Sequence, residues 1–407
     1  MRIAVIGGGA SGLMAAYTAA ENGADTVVFE KNDRPGVKLR ITGKGRCNVT
    51  NNCTRQEFFD NVVSNPKFLY SAYSAFSSQD VMAFFEECGV PLKTERGARV
   101  FPVSDKAYDI VEALVKRCRG AGVSFVYEKV KSVVKNESFT VATVNKEYEF
   151  DRVLIAAGGE SYPRTGSTGD GYRFAASLGH NIIKPLPSLV PLICRESLCG
   201  RCQGLSLKNV TLTAYDTQKN KAVYEELGEM LFTGNGVSGP LVLSASARMT
   251  DITDGRYALY IDLKPALDLK TLDKRLLRDF EENKNKNLVN SFSALLPSKL
   301  IAPFIELTGV PLDKKVNSIT AAERRSIAEL LKKMPLTVVR TAPIDEAIIT
   351  RGGVDTKEID PRTMQSKLVP GLYFAGEVID CDAYTGGFNL QIAFCTGRAA
   401  GLSSSTL

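Results

Sequence analysis

The chain has 407 residues, of which 44% are hydrophobic and 24% are charged, and 51 Lys and Arg against 45 Asp and Glu give it a net charge of +6. This balance is typical of a globular chain with two or three domains, and it excludes a fibre, a disordered tail and a small disulfide-linked fold. So small a net charge requires neither a nucleic acid nor a membrane as partner, and no apolar stretch reaches the roughly 18 residues of a membrane span.

Cysteine and histidine usage narrows the compartment and the chemistry. The nine cysteines are scattered and odd in number, which favours a reducing compartment. The opening apolar run ends at Gly7, too early for a signal peptide, so we expect a cytoplasmic protein. His180, the only histidine, is expected to be a connector residue after a helix end. Its isolation argues against a histidine-rich metal site or Ser-His-Asp hydrolysis, and we predict no metal site.

The first thirty residues predict a dinucleotide site. An apolar strand at 2–6 leads into GGGASG at 7–12 and then into a helix at 13–22. In such a turn Gly7 permits the bend, Gly9 lets the backbone approach a pyrophosphate, and Gly12 lets helix and strand pack closely. A second strand ends at Glu30, 18 positions after Gly12, where a carboxylate binds ribose hydroxyls.

A basic segment with interspersed glycines follows. Residues 34–55 contain six basic side chains and no acidic one. Such a loop suits phosphates or an electron-rich ring. A solvated loop and an RNA-binding patch are the alternatives, and the absence of interleaved aromatic residues disfavours RNA.

Two later segments favour FAD over NAD as the dinucleotide. Residues 148–160 and 371–377 each read as a strand ending in glycine and a carboxylate, and residues 386–391 open an apolar helix. The flavin end of FAD needs a second glycine-lined strand end for its ribityl chain. A helix N-terminus near the ring would stabilise the negative charge of the reduced flavin.

The intervening residues change their periodicity twice. Stretches at 210–215 and 257–263 are strand-like. Helices are predicted at 272–283, at 288–307 and after a capping box at 320–323, and residues 336–340 return to strand. A helical segment thus lies inside a strand-rich insert.

Six segments resemble the BaiN/RdsA-type (YhiN-like) family of NAD(P)/FAD-dependent flavoproteins. They are GGGASG (7–12), KLRITGKGRCNVTN (38–51), LIAAGGESYPRTGSTGDGY (154–172), GEMLFTGNGVSGP (228–240), TRGGV (350–354) and GLYFAGEVIDCDAYTGGFNLQIAFCTG (371–397). The resemblance spans the whole chain. It implies an α/β fold with a Rossmann-like FAD-binding domain interrupted by a β-barrel-like domain and a small helical bundle. The corresponding ranges are 1–190 with 341–407, 191–270 with 334–340, and 271–333.

The motifs and the resemblance together predict the residues of the site. The expected FAD contacts are Gly7, Gly9, Ala10, Ser11, Gly12, Glu30, Lys31, Lys38, Arg46, Cys47, Asn48, Val130, Gly158, Gly376, Glu377, Gly387, Asn389 and Leu390. Without a usable histidine, the proton donor near the ring would be Tyr162 or Tyr384. Either tyrosine is equally well explained as a packing aromatic.

Two further sequence patterns are weaker evidence for a binding site than the motifs above. Residues 234–239 also match GxGxxG but lack a clear βαβ context, so a turn is favoured over a second nucleotide site. Cys194, Cys199 and Cys202 have the spacing of three ligands of a plant-type iron–sulfur site. Plain thiols are favoured there over a redox dithiol or a cluster, because the fourth cysteine would have to come from the FAD domain.

The predicted function is that of an FAD-dependent oxidoreductase. The favoured reaction is NAD(P)H-driven reduction of a small organic substrate, an enone or steroid-like molecule, with NAD(P)H as a transient donor that has no Rossmann domain of its own. The alternatives are an oxygen-using oxidase of a small amine and a flavin-containing RNA-binding or RNA-modifying protein. We expect a small-molecule substrate, no nucleic-acid partner and no membrane, and the sequence does not predict an oligomeric state.

Overall fold

The computed structural model describes residues 1–406. The chain divides into two units, one formed by residues 1–188 and the residues from 344 onward, the other by residues 189–343. Each unit has its own cluster of buried apolar side chains.

Nineteen strands are named in chain order. They are β1 Arg2–Ile6, β2 Asp25–Phe29, β3 Thr50–Asn51, β4 Leu92–Glu95, β5 Arg99–Pro102, β6 Ser124–Val126, β7 Ser132–Lys135, β8 Phe139–Ala142, β9 Glu147–Phe150, β10 Arg152–Ile155, β11 Ile182–Ser188, β12 Leu192–Cys194, β13 Ser206–Asp216, β14 Lys221–Thr233, β15 Gly236–Ser238, β16 Tyr257–Asp262, β17 Met334–Thr341, β18 Ile349–Val354 and β19 Leu372–Phe374.

The α-helices are named in the same way. They are α1 Ala10–Glu21, α2 Val37–Gly45, α3 Arg55–Asp60, α4 Tyr70–Ala75, α5 Ser78–Glu87, α6 Ala107–Gly120, α7 Asp170–Ser177, α8 Leu198–Arg201, α9 Pro240–Arg248, α10 Leu269–Glu282, α11 Ser298–Thr308, α12 Ala321–Lys332 and α13 Phe388–Ser405.

The first unit is built on a five-stranded sheet in the order β19, β10, β1, β2, β6. All neighbouring strands are parallel. The last four residues of the central strand β1 are buried, as expected for an apolar strand covered on both faces. The segments that follow β1, β2, β10 and β19 therefore meet at the carboxyl edge of one sheet, where open α/β sheets bind ligands.

Helices from the two ends of the chain lie side by side in this unit. A Cβ atom at Gly397 of α13 would lie 2.5 Å from the carbonyl oxygen of Ser11 in α1, so the close approach requires glycine. Helix α13 also contacts β10 and β19. The N-terminal and C-terminal motifs are thereby brought into one layer.

Smaller sheets complete the first unit. Strands β3, β5 and β4 form one three-stranded sheet, β7, β8 and β9 another, and β11 pairs with β18. The stretch 148–160, expected as one strand, is two strands in different sheets, because Asp151 lies between them with its carboxylate accepting the N–H of Arg2.

The second unit contains a closed six-stranded barrel in the order β12, β15, β14, β13, β16, β17. Helices α10, α11 and α12 lie in the chain between β16 and β17. The predicted capping box at the start of α12 is present, since the Thr320 hydroxyl accepts the N–H of Glu323 and the Glu323 carboxylate accepts the N–H of Thr320. The α/β fold class with an inserted barrel and helices is confirmed.

The prediction of a single helix over 288–307 is wrong. Residues 288–290 form a short 3₁₀ turn, and α11 starts only at Ser298, after Pro297. Proline has no N–H for the helical ladder and disfavours the helical conformation of the residue before it. The apolar periodicity continues across Pro297, but the backbone hydrogen bonds do not.

Candidate cofactor site

The turn between β1 and α1 is crowded everywhere except at Gly9. Gly7 has a φ of +108°, and a Cβ atom at Gly12 would lie 1.9 Å from the carbonyl oxygen of Gly7. A Cβ atom at Gly9 would meet no atom within 4 Å. No side chain caps α1, which begins at Ala10, so the first N–H groups of the helix have no acceptor within it. An anion in front of Gly9 would meet these N–H groups and the positive end of the helix dipole.

Glu30 lies at the end of β2, directly beside this turn. Glu30 is only 7% exposed, and its carboxylate accepts three hydrogen bonds, from the Gly8 N–H at 3.0 Å and from the backbone and side-chain N–H groups of Asn32. Burial raises the pKa of Glu30, and these hydrogen bonds oppose that shift. A carboxylate has about four acceptor positions, so one is left for a further donor such as a hydroxyl group.

Lys31 and Val130 are two further predicted contacts in the segments after β2 and β6. The Lys31 ammonium group donates to Asp170 at 2.7 Å and to Thr168, so its charge is paired within the protein. Val130 is buried in the loop after β6, the sheet neighbour of β2. The loop that contains it leaves β6 at Val126, whose carbonyl oxygen accepts the N–H of Glu30.

A polar network joins the segments that follow β10 and β19. The Lys38 ammonium group donates to the Glu377 carboxylate and to the Ser161 hydroxyl, both at 2.7 Å. Glu377 also accepts the Ser161 hydroxyl at 3.0 Å and the Thr350 N–H at 2.9 Å. Ser161 and Thr350 were not predicted, although both lie in segments that carry the family resemblance and Ser161 follows the end of β10. The network fixes four stretches of chain to one another.

Arg46 is engaged by acidic side chains that lie far from it in sequence. Its guanidinium group donates to Asp105 at 2.7 Å and to Glu95 at 2.5 Å, and it lies over the Phe101 ring. Lys93 also contacts both carboxylates. The segment 34–55 is therefore less cationic in the fold than its composition indicates.

The loop from Cys47 to Asn51 lies against the start of α13. Asn51 donates to the carbonyl oxygen of Gly386, and a Cβ atom at Gly387 would lie 2.3 Å from that of Thr50. Cys47 is fully buried with a φ of +59°. The side-chain oxygen Oδ1 of Asn48 is buried and has no hydrogen-bond partner among residues 1–406.

The other predicted contacts on the C-terminal segment lie just after β19 and in the first turn of α13. Gly376 packs against Ser11, where a Cβ atom would lie 2.4 Å from the serine hydroxyl oxygen. The Asn389 side chain holds the preceding loop, since it donates to the carbonyl oxygens of Ala383 and Tyr384 and accepts the Ala383 N–H. Leu390 is half-buried in the first turn of α13, which has no side-chain cap.

Both candidate proton donors are half-buried in the first unit. Tyr162 has a left-handed backbone with a φ of +54°, and its ring centroid lies 5.9 Å from the Lys38 ammonium nitrogen. Gly158, four residues earlier, has a φ of +73° and lies beside Ser167. The Tyr384 N–H donates to Asn61. The network around Lys38 therefore holds the Tyr162 segment.

The residues present fit an FAD molecule along the carboxyl edge of the sheet. Gly9 leaves room where a pyrophosphate would lie, and Glu30 keeps one acceptor position where a ribose would lie. At the other end, Thr50 and Asn51 of the loop that contains Asn48 pack on the segment that leads into α13, whose first turn has no side-chain cap. These features come from both ends of the chain, as the motifs predicted.

The HI0933-like protein Rossmann domain model matches residues 1–403. The chain belongs to this family. Membership confirms the resemblance drawn from the motifs, and with it the Rossmann-type FAD-binding fold and the class of FAD-dependent oxidoreductase.

Three relatives align with this HI0933-like chain over nearly its whole length. The 3-dehydro-bile acid delta(4,6)-reductase of Clostridium scindens is 29% identical, covering 99% of each chain. The ribosomal RNA dihydrouridine synthase of Escherichia coli is 30% identical, covering 97% of this chain and 96% of its own. The enzyme of the same name from Haemophilus influenzae is 30% identical, covering 98% of each.

The glycines of the second GxGxxG in this HI0933-like chain have a packing reason. A Cβ atom at Gly236 would lie 2.0 Å from the carbonyl oxygen of Leu192, because β15 pairs with β12 in the barrel. Gly239 precedes α9, which starts at Pro240. The motif thus connects strands and helix of the barrel, with no βαβ unit around it.

The three clustered cysteines of the second unit are buried thiols. A hydrogen bond to Cys199, together with burial, raises the pKa of the Cys194 thiol, and burial raises that of Cys202. Within residues 1–406 no three His, Cys, Asp or Glu side chains are grouped so that they could hold a metal ion. None of the helices in that range is both long and apolar enough to cross a membrane.

Proposed function

We propose that this chain reduces a carbon–carbon double bond conjugated to a carbonyl group, with NADH or NADPH as the electron donor. The observation that carries the proposal is the alignment along the whole chain with relatives whose names share this chemistry. A delta(4) bond of a 3-dehydro bile acid lies beside the 3-oxo group, and dihydrouridine arises by saturation of the uracil bond beside C4=O. In either reaction, a hydride that comes from NADH or NADPH and a proton from an acidic side chain would add across one carbon–carbon double bond.

Bound FAD would supply the transfer of two electrons as hydride, and the protein supplies binding and charge. The first turn of α1 and the open space at Gly9 would hold the pyrophosphate, and Glu30 would accept a ribose hydroxyl. The start of α13 places partial positive charge at the flavin end. The hydrogen bonds among Lys38, Glu377 and Ser161 hold together the segments that would border the cofactor.

Tyr162 and Tyr384 are the proposed proton donors, and each is tested by its phenylalanine variant. A donor should lose substrate reduction while flavin reduction by NAD(P)H stays unchanged, because the proton is needed only when the substrate is reduced. A packing aromatic should keep both rates. The two half-reactions therefore separate the roles.

The reaction class is tested by anaerobic mixing in two steps. NADH or NADPH should bleach the flavin absorbance, and a 4-en-3-one steroid or uridine in RNA should restore it with loss of the double bond. Bleaching by a small amine but by neither nicotinamide, with peroxide formed on admission of oxygen, would replace the reductase with an amine oxidase.

A second candidate substrate, the uracil of an RNA, is favoured by where the charge lies. Residues 264–333 contain 14 Lys and Arg against 9 Asp and Glu, whereas the rest of the chain has 37 against 36. Nearly the whole net charge thus belongs to the helical part of the second unit. Lys286 and Lys315 are exposed there on paired stretches, since Asn287 bridges to Lys315. Such a surface complements phosphates.

RNA binding and its salt dependence decide between the two substrate classes. Lys286→Glu combined with Lys315→Glu should weaken binding of an in vitro transcribed ribosomal RNA and flatten its salt dependence. Lys208→Glu, an exposed lysine on the barrel, is the matched control. A protein that reduces the steroid and binds RNA no more tightly than the double variant would keep the small-molecule assignment and the prediction of no nucleic-acid partner.

A further inference from the structure

Asp382, in the loop before α13, carries a fully buried carboxylate group. Its side chain is 1% exposed, and its Oδ2 atom accepts the hydroxyl group of Ser188 at 2.7 Å. The other oxygen, Oδ1, has no hydrogen-bond partner among residues 1–406. The Nε atom of Arg351 lies 3.7 Å from Oδ1, close enough for an ion pair but too far for a hydrogen bond. The Arg351 side chain is 18% exposed, so it is the more accessible member of the pair.

An ion pair of this kind contributes little to folding. Removing two charges from water costs free energy, and their attraction offsets that cost only when hydrogen bonds also satisfy the buried oxygens. Here one of the two carboxylate oxygens accepts none. Binding of a further molecule therefore explains the pair better than stability does.

Arg351 lies on β18 directly after a residue of the polar network at the cofactor site. The N–H of Thr350 donates to Glu377 at 2.9 Å, and the hydroxyl oxygen of Thr350 accepts the N–H of Ser161 at 3.0 Å. Successive side chains of a strand point to opposite faces. Arg351 therefore lies on the face of β18 opposite to this network, where it meets Asp382.

Asp382 belongs to the segment that is held by the first turn of α13. The next residue, Ala383, donates its N–H to the side-chain oxygen of Asn389 at 2.9 Å. Tyr384, one of the proposed proton donors, follows directly. The ion pair thus joins the segment of Tyr384 to β18, and β18 is bonded in turn to Ser161, the residue before Tyr162.

Reduction of a conjugated carbonyl compound needs two different donor groups. When a hydride that comes from NADH or NADPH reaches the β-carbon, the electron pair of the double bond moves and negative charge develops on the carbonyl oxygen. A proton then adds at the α-carbon, so the group that supplies this proton is not the group that stabilises the oxygen. A cation whose position is fixed before the reaction stabilises such an oxygen strongly.

We propose that the guanidinium group of Arg351 donates to the carbonyl oxygen of the substrate, and that Asp382 and Ser188 position it. The inference rests on the proposed reduction of a double bond beside a carbonyl group. It applies equally to the 3-oxo group of a steroid and to C4=O of uracil, because both oxygens gain negative charge in the same step.

The test measures each half-reaction by stopped flow without oxygen. Arg351→Met should slow oxidation of the reduced flavin by a 4-en-3-one steroid or by uridine in RNA about 100-fold or more. FAD affinity and flavin reduction by NADPH should stay within about twofold of the wild type, because neither involves the substrate oxygen. Arg351→Lys should lose less, since it keeps the charge without the planar fork. Arg362→Met, at an exposed arginine of the first unit, should keep all three values.

Two further measurements separate a role in the reaction from a structural one. Guanidinium chloride at millimolar concentration, but not sodium chloride, should restore part of the substrate half-reaction in Arg351→Ala. Asp382→Asn should slow the same half-reaction, but should cause no further loss when it is combined with Arg351→Met, because Asp382 acts through Arg351. The double variant also carries the test if Arg351→Met alone fails to fold, since it leaves no buried carboxylate without its cation.

The outcomes distinguish this inference from the proposed function. Substrate reduction at the wild-type rate in the folded double variant would overturn the role of Arg351 and leave the reductase assignment intact. A wild-type protein whose reduced flavin is oxidised by neither the steroid nor the RNA would overturn the proposed function, and the inference with it.

Discussion

Substitution of Gly9 by alanine separates cofactor binding from folding. Gly9 has φ −84° and ψ −169°, which alanine adopts readily, and its added Cβ would meet no protein atom within 4 Å. The apoprotein should therefore keep its stability or gain about 0.4–1 kcal/mol from the reduced freedom of the unfolded chain. The methyl group would, however, occupy the space in front of the first turn of α1. Loss of one charge-assisted hydrogen bond to the pyrophosphate costs about 1.5–3 kcal/mol, which is roughly a 10- to 150-fold weaker FAD affinity.

The assay measures the FAD dissociation constant and the thermal midpoint of the apoprotein for each variant. Gly12→Ala is the control, because its Cβ would lie 1.9 Å from the carbonyl oxygen of Gly7 and should destabilise the apoprotein itself. Wild-type FAD affinity in Gly9→Ala would refute the reasoning, since it would show that nothing approaches the backbone there.

The charged contacts of the first unit give four more measurable outcomes. Glu30→Ala should weaken FAD binding by about 1–3 kcal/mol. Because burial raises the pKa of Glu30, the FAD affinity of the wild type should also fall on acidification, starting at a higher pH than for an exposed carboxylate, and the affinity of the variant should not show this fall. Lys38→Met should lower apoprotein stability in urea by about 1–3 kcal/mol by leaving the half-buried Glu377 carboxylate without its cation, and adding Glu377→Gln should restore part of the loss. Burial lowers the pKa of His180 below that of the unfolded chain, so the unfolded state takes up the proton first and the urea midpoint should fall as the pH drops below about 6.5, a component that His180→Gln removes. Arg46→Met should change the rate of flavin reduction by NADPH less than about twofold, because the Arg46 charge is already paired with Glu95 and Asp105. A large loss of this rate together with its salt dependence would instead show that Arg46 binds the phosphates of NADPH.

The sequence predicted the parts of the fold that depend on neighbouring residues. Strand, glycine turn, helix and terminal carboxylate follow one another within thirty residues, and each carries its own local signal from Gly7 to Glu30. The capping box at Thr320 is equally local. The break before α11 was missed because apolar spacing was given more weight than Pro297. Pro297 stands at the N-cap of α11 and has no N–H with which to continue a helix from the preceding residues, whereas Pro303 lies inside the same helix.

Interactions between distant residues were beyond the reach of sequence patterns. Lys38 was expected to contact the cofactor from its place in a basic segment, but its partners Ser161 and Glu377 lie 123 and 339 positions away. The sole histidine, His180, is likewise hydrogen-bonded to Glu358 and Ser366, which lie 178 and 186 positions away. Composition records which charges exist, while the fold decides which of them remain available.

The difference between total and unpaired charge affects which part of the protein would attract NADH or NADPH. By composition, the six basic residues within 34–55 suit the phosphates of such a donor. In the fold Arg46 is held by Glu95 and Asp105, and Arg40 lies 3.3 Å from Glu112. An ion pair has no net charge, so its electric field is weak at a distance. Salt screens what remains beyond a Debye length of about 8 Å at physiological ionic strength. The excess positive charge instead belongs to residues 264–333, so long-range attraction of an anionic partner should act on the second unit.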